Sequence, residues 1–411
     1  MKVFWAIVFI FLFSTDCFSQ KNKLDFYVNE ALANSPLLKD YKNQVASSYY
    51  DSLLILAAYK PQVTGTSNNS YAPVIKGWGY DDAITNGANV NALVGVNKQL
   101  MNKKTVAAQF QNIQLQNQTI NNTSKITEQD LKRTIIAQYI TAYGDLQQLN
   151  FTKEINSLLT KQEIILKKMT RSNVFKQVDY LAFLVTLQQQ ALVIKQQEMQ
   201  YKNDYAQLNY LCGIVDTATV DITDPEMMAD SIPDKSGSVF FKQFEIDSLK
   251  SINSKALLDI NYRPKINVFA DAGYNSSLAF KPYKNFGTSA GVSITIPIYD
   301  GKQKKMEISK INIADRTRVS NKEFFSNQYT QQINQLTQQL HETESMISVI
   351  DAQLKYSKSL IEVTGKLMNA GEAKVTDYIL SLNNYVSAQN LITQNKISRL
   401  QIINQLNYWN R

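Results

Sequence analysis

The sequence predicts a mainly α-helical chain that contributes four strands to a membrane β-barrel, built by duplication of a helix, strand, strand, long helix, helix unit. Three observations predict it. Gln207-Leu208-Asn209-Tyr210 returns as Gln405-Leu406-Asn407-Tyr408, and Asp179-Tyr180 returns as Asp377-Tyr378, both at an offset of 198 positions (207 to 405, 179 to 377). Two matches at one register mark two copies of a long unit. Two stretches in each half carry strand character, three of them alternating apolar with small polar side chains over about ten residues, the pattern of strands tilted across a bilayer. Long intervening segments have almost no proline or glycine and carry apolar residues at helical spacing.

The chain opens with Lys2, an apolar run from Val3 to Phe13 and a polar stretch ending in Ser19, which reads as a secretory signal over residues 1–19. The run is about half the ~20 apolar residues that a membrane-spanning helix needs. Asp16 before Cys17 argues against a lipid-attachment motif, so the expectation is an exported, unlipidated chain. The first copy then occupies 20–212, an irregular linker 213–239, and the second copy 240–411.

Leu24 to Asn34 reads as a short amphipathic helix stopped by Ser35-Pro36, and Leu37 to Ala58 as a second one ended near Pro61. Gln62 to Tyr71 is rich in Thr, Ser and Asn and reads as the first strand. In the second strand, 89–100, Val90, Ala92, Val94 and Val96 alternate with Asn89, Asn91, Gly95 and Asn97. From about Met101 to Met169 there is no proline and one glycine, Gly144, so a continuous helix would reach on the order of 100 Å. A turn at 170–177 precedes a return helix from Val178 to Leu211 with Leu181, Leu184, Leu187, Ala191 and Ile194 on one face.

Gly213 to Gly237, with Asp224-Pro225 and Ile232-Pro233, reads as irregular. The second half repeats the layout: a helix from Phe240 to Asp259, strands at 265–276 and 288–298, a long helix from Gly301 to Met368, a turn at 369–374 and a return helix from Val375 to Trp409. Alternation puts Val292, Ile294 and Ile296 on a lipid-facing side and Asn267, Asp271, Ser293 and Thr295 on a side facing water. Tyr71, Trp78, Tyr80, Tyr262, Phe280, Tyr283, Phe286 and Tyr299 flank the strands as interfacial aromatics do. A soluble sandwich would share the alternation of any one strand; strands placed pairwise between long helices favour the barrel.

Composition limits the chemistry. Lys and Arg number 43 against 35 Asp and Glu, a net charge of +8, yet the cations are scattered along helices as on a solvated surface, which does not suit a nucleic-acid partner. Past the signal there is one cysteine, Cys212, read as a core residue, and the single histidine, His341, has no Cys or His neighbour to complete a metal set. No nucleophile, base and metal constellation is present, so the expectation is no catalysis, no metal and no cofactor. Four strands cannot close a barrel, since the smallest closed barrels have about eight, so chains must pool their strands.

At the strand-to-helix junction Ile296-Pro297-Ile298-Tyr299-Asp300-Gly301, at Gly371 to Leu380 and at the ending Ile403-Asn404-Gln405-Leu406-Asn407, the sequence resembles the TolC-like outer-membrane efflux proteins over essentially the whole mature chain. The resemblance implies a homotrimer whose 12-stranded β-barrel, in the outer membrane, continues into an α-helical barrel in the periplasm. It also implies docking on a periplasmic adaptor that serves an inner-membrane pump. Drug or metal efflux and polypeptide secretion both fit that architecture. A periplasmic coiled-coil adaptor or scaffold is the alternative, but would carry compact β or lipoyl-like modules in place of paired amphipathic strands.

By position the family's tip corresponds to Asn173 to Asp179 and Gly371 to Asp377. Asp179 and Asp377 match acidic tip positions and, with Tyr180 and Tyr378 as possible donors, are the candidate gate. Asn173, Lys176, Gly371 and Lys374 are the candidate adaptor-docking residues. The chain departs from the family in having Lys176 and Lys374 before the return helices, Leu380 and Ala373 where second tip charges sometimes stand, and neither proline nor glycine in the first junction, Gln99-Leu100-Met101-Asn102-Lys103.

Overall fold

The computed structural model describes residues 23–80, 88–100, 102–216, 218–231, 235–278 and 281–410; the predicted signal, Met101, Ile232-Pro233 and Phe280 lie outside them. In chain order the elements are α1 (Leu24–Asn34), α2 (Pro36–Ala58), β1 (Gln62–Tyr71), β2 (Ala88–Leu100), α3 (Lys103–Arg171), α4 (Gln177–Cys212), α5 (Val239–Asn261), β3 (Lys265–Ser276), β4 (Phe286–Thr295), α6 (Gln303–Asn369) and α7 (Val375–Trp409). Short 3₁₀ turns lie at Lys235–Gly237 and Pro282–Lys284. Two compact units result, one from the described part of Met1–Lys39 with Ser124–Phe241 and Phe324–Arg411, the other from Asp40–Thr123 and Lys242–Glu323. Each unit draws on both sequence halves.

In the second unit the four strands form one antiparallel sheet in the order β1-β2-β3-β4. The central pairing joins the halves, with Val94 opposite Ala272 and Gly95 opposite Asp271. Gly273 is required by close approach, because a Cβ there would lie 2.2 Å from the carbonyl oxygen of Ala92. β4 differs from the sequence expectation of 288–298: it starts at Phe286 and stops at Thr295. Thr295 pairs with Lys265, the first residue of β3, so Ile296 would have to pair with Pro264, which has no N–H to give, and Pro297 follows at once.

Both long helices start later than the glycine and proline pattern suggests, and side chains explain where. Asp300 accepts the backbone N–H groups of Lys302 at 2.9 Å and Lys304 at 2.8 Å, while Asn102, at the matching position of the first half, accepts that of Lys104 at 2.9 Å. Each side chain satisfies donors that the first helical turn leaves unpaired. The first junction therefore manages without the proline and glycine of the second.

The first unit is held by apolar faces of α1, α3, α4, α6 and α7. One cluster packs Tyr27, Ile135, Tyr139, Tyr201, Tyr205, Leu208 and Cys212. Cys212 is fully buried, and burial pushes its thiol up to about 12, which makes it the inert core residue that its sequence setting suggests. The linker is strapped to this core: the Tyr139 hydroxyl donates to the carbonyl of Thr223 at 2.7 Å, that of Tyr201 to Val220 at 2.6 Å, and Ile222 is buried beneath. An irregular segment thus gains order from tyrosine hydroxyls that need partners once buried.

Candidate functional site

The two interhelical turns are built alike. Asn173 (φ 59°) and Gly371 (φ 78°) take the left-handed conformation just past the ends of α3 and α6. The next N–H in each reaches back to an equivalent carbonyl, Val174 to Met169 at 3.0 Å and Glu372 to Leu367 at 2.9 Å. This is the six-to-one bond of a Schellman turn, and Asn and Gly are the residues that tolerate its central conformation. The turns adjoin, since a Cβ on Gly371 would lie 3.1 Å from Cγ1 of Val174.

Lys176 and Lys374 then share φ −76° and ψ 152° as the residues preceding α4 and α7. The backbone N–H of Lys176 donates to Asp179 at 3.2 Å, and that of Lys374 to Asp377 at 3.2 Å. An ammonium has no lone pair to return, so only the carboxylate half of a capping box forms. Sequence reasoning offered the aspartates as a gate or as helix starters; within one chain their geometry is that of helix starters, favoured also by the helix dipole. The lysine side chains are left exposed at the turns.

The matched tyrosines part company. Tyr378 is 2% exposed, inside a core with Phe151, Leu159, Phe183, Ile361 and Leu382, and burial pushes its hydroxyl up to about 12. Tyr180 is less buried and donates to Glu163 at 2.5 Å, a bond that raises its own pKa. The facing helices explain the split. At the offset of 198, Glu163 and Lys167 of α3 become Ile361 and Gly365 of α6. Gly365 makes room for the ring, because a Cβ there would lie 3.2 Å from Cε2 of Tyr378. The candidate pair therefore supplies one hydroxyl near the surface, on Tyr180, and one in the core. Glu163 and Gly365 were missed by reading each turn alone; comparing the two helices at the repeat offset would have found them.

On β3 and β4 the sheet has one mainly polar and one mainly apolar face. Asn267 is paired with Ser293 and Asp271 with Ser289, while Thr295 stands opposite Lys265, so Asn267, Asp271, Ser293 and Thr295 share one polar face. The Ser289 hydroxyl donates to Asp271 at 2.6 Å across that face. The opposite face carries Val63, Val94, Val268, Val292 and Ile294, all exposed. Phe269 is an intrusion on the polar side that alternation alone did not flag as special: its ring lies where a Cβ on Gly291 would be 2.6 Å from Cζ.

No family model matches the sequence, and no curated protein does. Solved structures do match. The outer membrane protein VceC from Vibrio cholerae superposes with a TM-score of 0.72 at 10% identity, over 94% of this chain and 96% of that one. The outer membrane channel CmeC of Campylobacter jejuni gives 0.72 at 12% identity, over 95% and 86%. The open state of the Neisseria gonorrhoeae channel MtrE gives 0.70 at 12%, over 94% and 88%. CmeC and MtrE are described as outer membrane channels. At such identities the likeness is one of fold, and in fold the chain is similar to the TolC-like outer-membrane efflux channels.

Proposed function

We propose that three copies of this chain pool their strands into a 12-stranded outer-membrane barrel that continues as a periplasmic helical tunnel, and that the tunnel is the exit duct of an efflux or secretion system. The observation that carries this reading is the sheet: four strands of bilayer length, one exposed apolar face, one polar face, and two unpaired edges at β1 and β4. Open edges and an apolar face are tolerable in a membrane only if the edges are closed by further strands. No helix among the described residues is long and apolar enough to cross a membrane, so in this reading the strands cross.

The helices support assembly as well. On α6, Met346, Val349, Tyr356, Leu360, Val363 and Leu367 are exposed at alternating steps of three and four, with Gln353 in the gap. On α4, Val178, Val185, Leu192 and Met199 are exposed at steps of seven. Heptad stripes of this kind are the seams of packed helices, and a second copy is the natural cover.

The turns give the duct its periplasmic end. Lys176 and Lys374 would form a ring of positive charge that meets an acidic or carbonyl-rich adaptor, the adaptor in turn serving an inner-membrane pump. Symmetry copies of Asp179 and Asp377 would narrow the mouth and favour cations. Purified protein in planar bilayers should conduct as a heat-resistant trimer, with Asp179→Asn, Asp377→Asn removing cation preference. Charge reversal of both lysines should weaken adaptor pull-down at unchanged trimer yield. A soluble monomer without conductance would overturn the duct; unchanged selectivity or pull-down would leave the duct and remove the role of those residues.

A further inference from the structure

Where β4 passes into α6, the second unit has a groove of about 500 Å³ lined by Tyr262, Pro297, Ile298, Tyr299, Lys302 and Lys305, among others. One wall is apolar and exposed: Ile298 is 95% and Tyr299 82% accessible, just past the last hydrogen-bonded residue of β4. The other wall is basic. Lys304 is engaged by Asp259 at 2.9 Å and lies over the Tyr262 ring, and Asp300 is committed to backbone N–H groups and to the Tyr262 hydroxyl. Lys302 and Lys305 remain exposed at the mouth.

The placement of these lysines runs against local preference. Cations are disfavoured at a helix N-terminus, where the backbone already presents partial positive charge. Yet α3 begins Lys103-Lys104 and α6 carries Lys302, Lys304 and Lys305 at its start, with no acidic residue in the first turn of either helix. At the second junction Asp300 and Asp259 offset part of this charge, while Lys302 and Lys305 make no ion pair among the described residues, which leaves a place for a further anion. An aromatic and aliphatic wall beside a cluster of cations, at the end of a membrane strand, fits an amphiphile whose anionic head meets cations and whose chain meets apolar surface.

We propose that this groove binds an anionic phospholipid of the leaflet on the helix side of the sheet, with its phosphate on Lys302 and Lys305 and its acyl chain against Ile298 and Tyr299. The inference rests on the membrane-barrel reading. It is tested by releasing the full-length protein from bilayers of phosphatidylcholine with added phosphatidylglycerol and weighing the intact assembly by native mass spectrometry. Wild type should retain phosphatidylglycerol over phosphatidylcholine. Each lysine near a membrane surface is worth about fivefold, so Lys302→Gln, Lys305→Gln should lower retention roughly 25-fold, and the double Arg variant should restore it. Equal retention by the Gln variant overturns the proposal, as does displacement of the lipid by inorganic phosphate alone. A photocrosslinker at Tyr299 should label lipid; labelling of a neighbouring chain instead also overturns it. Bilayer conductance of the same samples reports separately on the channel, which should persist in every variant.

Discussion

At the scale of single residues, the tip aspartates show how one carboxylate can serve a local role within the chain beside the one proposed for the assembly. Their recurrence at the repeat offset marks them, but the role the structure gives Asp377 is to hold the Lys374 N–H at the start of α7. Removing a capping side chain costs about 1 kcal/mol, so Asp377→Ala should speed amide exchange in the first turn of α7 roughly fivefold while Asp377→Asn changes it little. Exchange that is equal in both variants would remove the capping role. A second residue, absent from any sequence motif, is Asp145 on α3. Partial burial, then a hydrogen bond with Asp204 on α4, pushes its carboxyl up to about 7, while Gln138 and Gln200 donate to Asp204 at 3.2 Å and 2.5 Å. The folded value lies above the unfolded one, so its stabilising contribution is complete below about pH 4 and is lost as pH rises through about 7. Asp145→Asn should therefore flatten the loss of helical stability between those limits, followed by thermal melting monitored by circular dichroism. An unchanged slope would assign the pH dependence elsewhere.

At the scale of elements, alternation located β2, β3 and β4, because period two survives without any tertiary information, while β1 was read from its Thr, Ser and Asn content. It overran the end of β4, since Ile296 and Ile298 continue the pattern while Pro264 and Pro297 end the ladder. Helix starts were displaced for a similar reason: Asn102 and Asp300 act through side-chain hydrogen bonds that spacing does not reveal. The split between Tyr180 and Tyr378 depended on residues about 15 positions away on the preceding helix, which a reading of the turn could not include. The face assignment itself makes a sharp prediction. Arg at Ile294, if near the bilayer midplane, should destabilise assembly by about 2 to 4 kcal/mol, whereas Arg at Ser293 should be tolerated and alter conductance. Folding into lipid vesicles over a urea series measures both; equal tolerance would contradict the assignment.

At the scale of the whole molecule, the proposed assembly answers features that one chain leaves open. The chain's sheet ends in open edges, its apolar strand face is bare, and heptad stripes on α4 and α6 are uncovered. The expectation that chains pool their strands comes from arithmetic, because four strands fall short of the smallest barrel. The copy number of three comes from the resemblance alone, since it depends on strand tilt and on the match between stripes of different chains. The most direct test is a disulfide across the seam that closure would create. In one sheet β1 and β4 lie about 14 Å apart, at 4.7–4.9 Å per step, too far for a bond between Cα atoms that must come within about 7 Å. Cysteine at Thr66 of β1 should be scanned against cysteine at Gly287, Ser289, Gly291 and Ser293 of β4, with buried Cys212 a silent background. One register should oxidise readily in membranes, and denaturing gels should show dimers and trimers and then stop. Absence of any cross-link in membrane-inserted protein, or a ladder continuing past the trimer, would contradict the proposed assembly.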